Sequence, residues 1–292
     1  MKIVAGIPAF NEENNIAKII TKLAEFVDVI IVCDDGSTDM TSKISEKLGA
    51  IVIKHEKNLG NGAANRSLFL KARELDCDIL VTLDGDGQHR VEDLPIIIKP
   101  ILDGESDIVI GSRFVGEKSD IPSYRKAGIK IINNLTNMGL GKKLKDTQSG
   151  YRAYSKKVIK EITPSESGMG VSTEILIKAD KKGFKIAEVP IKILYEGDTS
   201  THDPVSHGLS VIVSTMKFIS IEHPLKFYGI PGSLFLAVGL FFLVWTLQLF
   251  AETRQIITNI SIIAVGTIIF GTILIMTAII LYSVVSVIRE KS

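Results

Sequence analysis

From Phe227 to Ala251, and again from Gln255 to Ile288, the chain carries no charged residue. Each run exceeds the roughly 20 residues that a helix needs to cross a bilayer. A helix lying on a soluble core keeps a polar stripe for water, and neither run has one, which argues against a pair of buried core helices. Two spans are therefore expected, at about 229–250 and 260–287, joined by a short loop around Glu252 and Arg254. Lys217, Lys226, Arg289 and Lys291 fall on the side away from that loop. The positive-inside bias then places the preceding domain and the C-terminus in the cytoplasm of a multi-pass protein of the cell membrane. Asn259-Ile260-Ser261 matches a glycosylation acceptor but lies too near the membrane to be used.

The rest of the chain has a different grammar. Residues 1–205 are expected to form one α/β domain, 206–226 an amphipathic juxtamembrane helix, and 227–292 the membrane region. Apolar residues at Leu209, Ile212, Val213, Met216 and Ile219 suit a helix on a lipid surface, and equally an ordinary core-facing helix. A net charge of +1 gives no reason to expect a nucleic-acid partner. The two cysteines, Cys33 and Cys77, sit in or beside apolar runs and have neither metal-ligand nor disulfide spacing. Met1 to Phe10 is no signal peptide, because Pro8 and Asn11 end its short apolar run.

Within 1–205, strand-like runs at 3–8, 29–33, 50–53, 79–83, 107–110 and 186–194 alternate with helical spacing at 14–26, 37–48, 62–75, 91–102, 123–141 and 173–182. That alternation predicts a mostly parallel sheet with helices on both faces. Residues 146–152 read as a polar, turn-like insertion. The loops 164–172 and 196–208 are lid candidates.

Chemistry-bearing clusters recur where the strands end. Asp84-Gly85-Asp86 follows the run Ile79 to Leu83. In open α/β sheets that edge is where ligands bind. Two carboxylates one residue apart repel unless a positive charge lies between them, and a hard divalent cation holding a diphosphate suits the place. Taken alone, Asp-Gly-Asp is as readily a solvated turn. It is accompanied by Pro8 to Glu13 after the first strand and Asp34 to Asp39 after the second. Asn58 to Gly62 follows the third, and Gly111-Ser112-Arg113 a later one.

Together with Asp84-Gly85-Asp86-Gly87-Gln88-His89 and Asp146-Thr147-Gln148-Ser149-Gly150-Tyr151-Arg152, these motifs resemble the family 2 glycosyltransferases of GT-A fold. They are most similar to the polyprenyl- or dolichyl-phosphate mannose and glucose synthases. The resemblance spans about residues 3–195. It implies a GT-A, Rossmann-like domain that transfers a hexose, with inversion, from a nucleoside-diphosphate sugar to a polyprenyl (dolichyl) phosphate. It implies that Pro8, Phe10 and Glu12 line the nucleotide pocket and that Asp35 meets the base or ribose. Asp84, Asp86 and Gln88 would serve the sugar nucleotide and a Mg²⁺ or Mn²⁺ ion. Arg113 and Arg125 would meet anionic phosphates, and Asp146 would be the base. Asp146, Asp86, Arg113 and Arg125 thus form the expected catalytic group. A metal and arginines also suit a leaving diphosphate on chemical grounds, because charge develops there as the glycosidic bond breaks.

Plainer roles stand beside these. Asp39 can serve a helix start, Phe10 the core and His89 a turn. Asn61-Gly62-Ala63 is a helix entry able to meet a phosphate, without the dinucleotide fingerprint. A phosphate monoester, with its second pKa near about 6, scarcely needs a base, so Asp146 can instead orient the acceptor or hold Arg152. Glu174 is a weaker site candidate. Residues 195–202 read Tyr-Glu-Gly-Asp-Thr-Ser-Thr-His, where similar proteins often carry a basic pair; His202 or His207 could stand in. A processive polysaccharide synthase would carry Gln-x-x-Arg-Trp, and the single tryptophan, Trp245, lies inside a span. A different lipid or polysaccharide acceptor, and a non-catalytic sugar-nucleotide-binding membrane protein, stay open as alternatives. The expected partners are the sugar nucleotide, the lipid phosphate and membrane lipid; two spans also allow a homo-oligomer.

Overall fold

The computed structural model describes residues 1–115, 123–138, 140–141, 143–192, 213, 216–217, 219–221 and 223–290. The chain forms two compact units, Met1–Thr215 and Met216–Ser292. The expected helix at 206–226 and the loop 196–208, with His202 and His207, lie largely or wholly outside the described residues.

The first unit is built on a seven-stranded sheet of order β3-β2-β1-β4-β6-β5-β7. Its strands are β1 (Ile3–Ala9), β2 (Val29–Asp34), β3 (Ile51–Lys54), β4 (Ile79–Thr82), β5 (Ile108–Ser112), β6 (Arg152–Ser155) and β7 (Ile186–Pro190). The helices of this unit are α1 (Ile16–Leu23), α2 (Thr41–Lys47), α3 (Asn61–Glu74), α4 (Leu94–Leu102), α5 (Ser123–Met138), α6 (Lys156–Glu161) and α7 (Val171–Lys181). Successive strand residues point to opposite faces. Val4, Ile31, Leu80 and Ile110 join one core with Leu68 of α3, Val158 of α6 and Leu176 of α7. Ala5, Val32, Val81 and Val109 join the other with Ile16 and Ile20 of α1 and Leu94 and Ile97 of α4. Burial on both faces explains why these strands read as unbroken apolar runs.

The registers place the functional loops. β1 runs parallel to β2 and β4, pairing Ala9 with Asp34 and Gly6 with Thr82. The three carboxyl ends therefore share one edge. β6 is the exception to the expected parallel sheet: it runs antiparallel between β4 and β5, with Arg152 opposite both Thr82 and Ile110. Because β6 enters the sheet where its neighbours leave it, the residues just before it, 146–150, come to the same edge. The expected polar insertion is thus the approach to a buried strand.

Loop 164–172 is tied down rather than free to close. The N–H groups of Gly62 and Ala63 donate to Ser167 O at 2.9 and 3.3 Å. The start of α3, read as a possible phosphate site, is thereby taken by a carbonyl. Glu174 holds the same loop, accepting from Ser165 N and Glu166 N at 2.9 Å each and from the Ser165 hydroxyl. It also pairs with Lys178 at 2.6 Å, one turn on.

In the second unit, α8 (Ile230–Thr253) and α9 (Thr258–Glu290) pack side by side. Glycines set their close approach: a Cβ at Gly239 would lie 2.6 Å from Ile268 Cγ1, and one at Gly271 2.7 Å from Leu236 N. Leu234, Phe241 and Leu247 of α8, and Ile262, Ile273 and Ile280 of α9, are exposed. Both helices are long and apolar enough to cross a membrane.

Candidate active site

Two loops at the sheet edge interlock to form one wall. Asn11, in the left-handed region at φ 56°, accepts Thr38 N on Oδ1 at 2.9 Å and donates its own N–H to Ser37 Oγ at 2.9 Å. Glu12 N donates to Thr41 Oγ1 at 2.8 Å, and Glu13 N to Asp39 Oδ2 at 3.1 Å. Asp39 also accepts Thr41 N at 2.9 Å, so it does serve the start of α2. Pro8 and Phe10 are half-buried in this wall. A Cβ on Gly85 would lie 3.3 Å from both Pro8 O and Glu12 Cγ, which packs the Asp84–Asp86 turn against the first loop.

Asp35, buried at the end of β2, holds the loop before α3. Its carboxylate accepts Leu59 N at 3.0 Å and Gly60 N at 2.8 Å, and lies 2.6 Å from His55 Nδ1. His55 Nε2 in turn sits 2.9 Å from Ser67 Oγ on α3. Asp34 accepts Ser37 N at 2.8 Å and the Ser42 hydroxyl. Sequence reasoning gave His55 no role, because its partners lie 20 and 12 positions away.

Beyond β4, Asp84 and Asp86 stand in unlike environments. His89, buried against Tyr151 with ring centroids 5.2 Å apart, reaches Asp84 Oδ2 through Nε2 at 3.2 Å. Burial works to raise the Asp84 carboxyl, but the His89 hydrogen bond and the charges of His89, Arg113 and Arg152 outweigh it and hold it low. Asp86 has the opposite fate: burial and the Asp84 charge push it up to about 6. Gln88 N, donating to Oδ1 at 3.0 Å, opposes this. Burial also raises Glu12; the Asn15 hydrogen bond opposes this, and the charges of Asp86, Asp84 and Asp39 add to it. His89 is therefore no mere turn residue. It is the group that settles Asp84, while its Nδ1 is buried without a hydrogen-bond partner among the described residues.

The facing wall comes from β5 and the approach to β6. Arg113 donates to Asp146 from its backbone N at 3.0 Å, from Nε at 2.7 Å and from Nη2 at 2.6 Å. Arg152 is not the partner of Asp146. Fully buried, it donates to the carbonyls of Ser149, Ser172 and Thr147 at 2.8, 3.0 and 2.7 Å. The bonds to Thr147 and Ser149 shape the loop that ends at Gly150, and the third ties Arg152 to the start of α7. There the chain presses on the acidic pair: a Cβ on Gly150 would lie 2.5 Å from Asp84 Oδ2. The Arg125 side chain lies outside the described residues.

The implied divalent ion fits what is present. Among the described residues no three His, Cys, Asp or Glu side chains gather to hold a metal by themselves. Asp84 and Asp86 are hard oxygen donors one residue apart in a turn, and Asp86 is raised by burial and by the Asp84 charge. Two carboxylates completed by substrate phosphate oxygens is the usual manner of holding Mg²⁺ or Mn²⁺.

Comparison with known proteins agrees with this geometry. The chain is 35% identical over 229 residues to the UDP-N-acetylglucosamine–dolichyl-phosphate N-acetylglucosaminyltransferase of Methanococcus voltae, covering 71% of this chain and 89% of that one. It is 32% identical over 228 residues to a dolichyl-phosphate hexose transferase of Haloferax volcanii, covering 77% and 96%. Among solved structures, the glucosyl-3-phosphoglycerate synthase of Mycobacterium tuberculosis, in complex with Mn²⁺, UDP and glucosyl-3-phosphoglycerate, superposes with a TM-score of 0.58. It is 26% identical, and the match covers 74% of this chain and 79% of that one. The family model for glycosyl transferase family 2 matches residues 5–163, which run from β1 past the antiparallel β6 and so take in the loops after β1, β2, β4 and β5 and the approach to β6. With that match and those relatives, the chain belongs to glycosyl transferase family 2.

Proposed function

We propose that the protein transfers one hexose from a nucleoside-diphosphate sugar to a polyprenyl (dolichyl) phosphate, with inversion, at the cytoplasmic face of the membrane. The observation that carries this reading is one chain holding both an acidic pair opposite an arginine at the sheet edge and two helices apolar enough to span a bilayer. A polyprenyl acceptor stays in the bilayer, so an enzyme using it gains from being anchored there. The dolichyl-phosphate relatives support the acceptor, and the Mn²⁺ complex of the structural neighbour supports a divalent ion.

In this reading Pro8, Phe10, Glu12 and Asp35 form the nucleotide side, and Asp84, Asp86 and Gln88 meet the diphosphate and Mg²⁺ or Mn²⁺. When bound, such an ion neutralises charge on the diphosphate oxygens. An oxygen of the acceptor phosphate forms the new bond to the anomeric carbon. The bond from that carbon to the diphosphate breaks, and its electron pair leaves with the nucleoside diphosphate. Arg113, and Arg125 by resemblance, supply positive charge toward phosphate oxygens. A guanidinium does this with a planar fork of donors.

The test is transfer of labelled sugar from a panel of nucleotide donors, by purified full-length protein, to polyprenyl phosphate or 3-phosphoglycerate. Labelled lipid from one donor, lost on chelation of divalent ions, is expected. Transfer to 3-phosphoglycerate alone would overturn the lipid acceptor, and donor binding without transfer or hydrolysis would overturn catalysis.

A further inference from the structure

Arg113 and Asp146 differ in what they can reach. The Asp146 side chain is 0% exposed and that of Arg113 16%. Both Asp146 oxygens accept from Arg113, Oδ1 from Nη2 and Oδ2 from Nε and the backbone N. A general base must come within hydrogen-bond reach of the proton that it takes. In this structure the carboxylate has no surface, and both of its oxygens are engaged by one guanidinium. The Arg113 side chain, by contrast, keeps some surface.

Asp146 is, in addition, held from behind. Its backbone N donates to Glu188 Oε1 at 2.8 Å, and Lys145 N donates to the same carboxylate at 2.9 Å. Thr147 N and Oγ1 both donate to Asn133 Oδ1, at 2.9 and 2.7 Å. Arg152 fixes the Thr147 and Ser149 carbonyls. This support would be superfluous for a side chain that must swing out to meet a substrate. It suits one that must hold another group in a fixed plane.

We propose that Asp146 is a positioning residue that acts only through Arg113, fixing the guanidinium plane for a phosphate oxygen of the substrates, and that it accepts no proton in the reaction. The inference rests on the proposed transfer to a phosphate acceptor. That acceptor is already largely ionised at neutral pH, its second pKa being near about 6. The carbon–oxygen bond to the acceptor then forms, and the bond to the leaving diphosphate breaks, with no proton to move.

A double-mutant cycle on the full-length protein decides it, with wild type, Asp146→Asn, Arg113→Lys and the double variant assayed for transfer to polyprenyl phosphate. Each single change is expected to lower kcat/KM by about 10- to 100-fold. The double variant should fall no lower than the weaker single, because the two groups act as one unit. Whether KM rises for the lipid phosphate or for the sugar nucleotide tells which phosphate Arg113 meets. The acid limb of the pH profile, set by the acceptor phosphate, should be the same in wild type and Asp146→Asn. Multiplied losses in the double variant, or an acid limb that vanishes with Asp146, would overturn the proposal.

Should Asp146→Asn fail to fold, Arg113→Lys decides alone. It keeps a cation beside Asp146 but loses the fork, so activity within threefold of wild type counts against the idea. If the wild type uses no lipid phosphate, the acceptor reading fails by itself. The same cycle is then read on metal-dependent donor hydrolysis, where multiplied losses again overturn the positioning role.

Discussion

The two walls of the cleft handle charge in opposite ways. On the wall of the acidic loops, Glu12, Asp84 and Asp86 crowd together, and two of the three are pushed above their ordinary range. On the facing side Arg113 is forked onto Asp146, Arg152 is capped by three carbonyls, and Glu188 accepts two backbone amides. Buried charge is tolerable when paired and hydrogen-bonded, and costly otherwise. The contrast separates a wall of crowded, raised carboxylates from one whose buried charges are paired and hydrogen-bonded. Function is expected to be most sensitive on the first wall and stability on the second.

Asp86→Ala is the sharpest test of the first wall. Removing this carboxylate, pushed up by burial and the Asp84 charge, should cut transfer on the order of 10³-fold, the scale seen when a main electrostatic contact to developing charge is lost. The unfolding midpoint should hold or rise. Loss of fold with activity would place Asp86 on the wrong side of the comparison. Arg152→Met is the counterpart on the second wall. Three buried carbonyls lose their donor, and a cost of about 3–5 kcal/mol is expected, read by denaturant unfolding in detergent. A cost under about 1 kcal/mol would show that the loop before β6 does not depend on this arginine.

Gly150→Ala probes the seam between the walls. The new methyl meets Asp84 Oδ2 at 2.5 Å, against a carboxylate already held by His89. Asp84 must turn, and a loss of about 10- to 100-fold in kcat/KM is expected from the displaced group, with destabilisation of about 1–3 kcal/mol from overpacking. Wild-type kinetics would show that Asp84 has no fixed task.

The first wall was far more legible in the sequence than the second. Its groups are local: Asp84 and Asp86 follow an apolar run, and Pro8 to Glu13 and Asp34 to Asp39 end neighbouring strands. Parallel pairing of both-sides-buried strands is enough to bring them together. The second wall depends on β6, a four-residue strand that starts with an arginine. No apolar run marks it. The burial of Arg152 makes sense only once the carbonyls of 147, 149 and 172 surround it. Asp146 finds Arg113 across 33 positions, a separation with no local periodicity to betray it. Glu174 and Lys178 have helical spacing visible in the sequence, but that Glu174 fastens the 165–166 loop is a tertiary fact.

The smallest expected effect has the most telling sign. The folded-state pKa of Asp86 is about 6, above the roughly 3.9 of an unfolded aspartate. Ionising Asp86 therefore opposes folding: the native state is favoured below about pH 4 and loses that advantage as pH rises through about 6. Asp86→Asn removes the penalty. In the presence of a chelator it should stabilise the protein by on the order of 1 kcal/mol at pH 7.5, after allowance for the partial exposure of the group. The gain should vanish well below about pH 4, where Asp86 is protonated in both the folded and the unfolded wild type. Adding Mn²⁺ with nucleoside diphosphate should reverse the order at pH 7.5, because a ligand that binds only the native wild type stabilises it by mass action. A variant that is less stable than wild type at pH 7.5 without metal would mean that Asp86 is already satisfied within the protein, and the contrast between the two walls would fail.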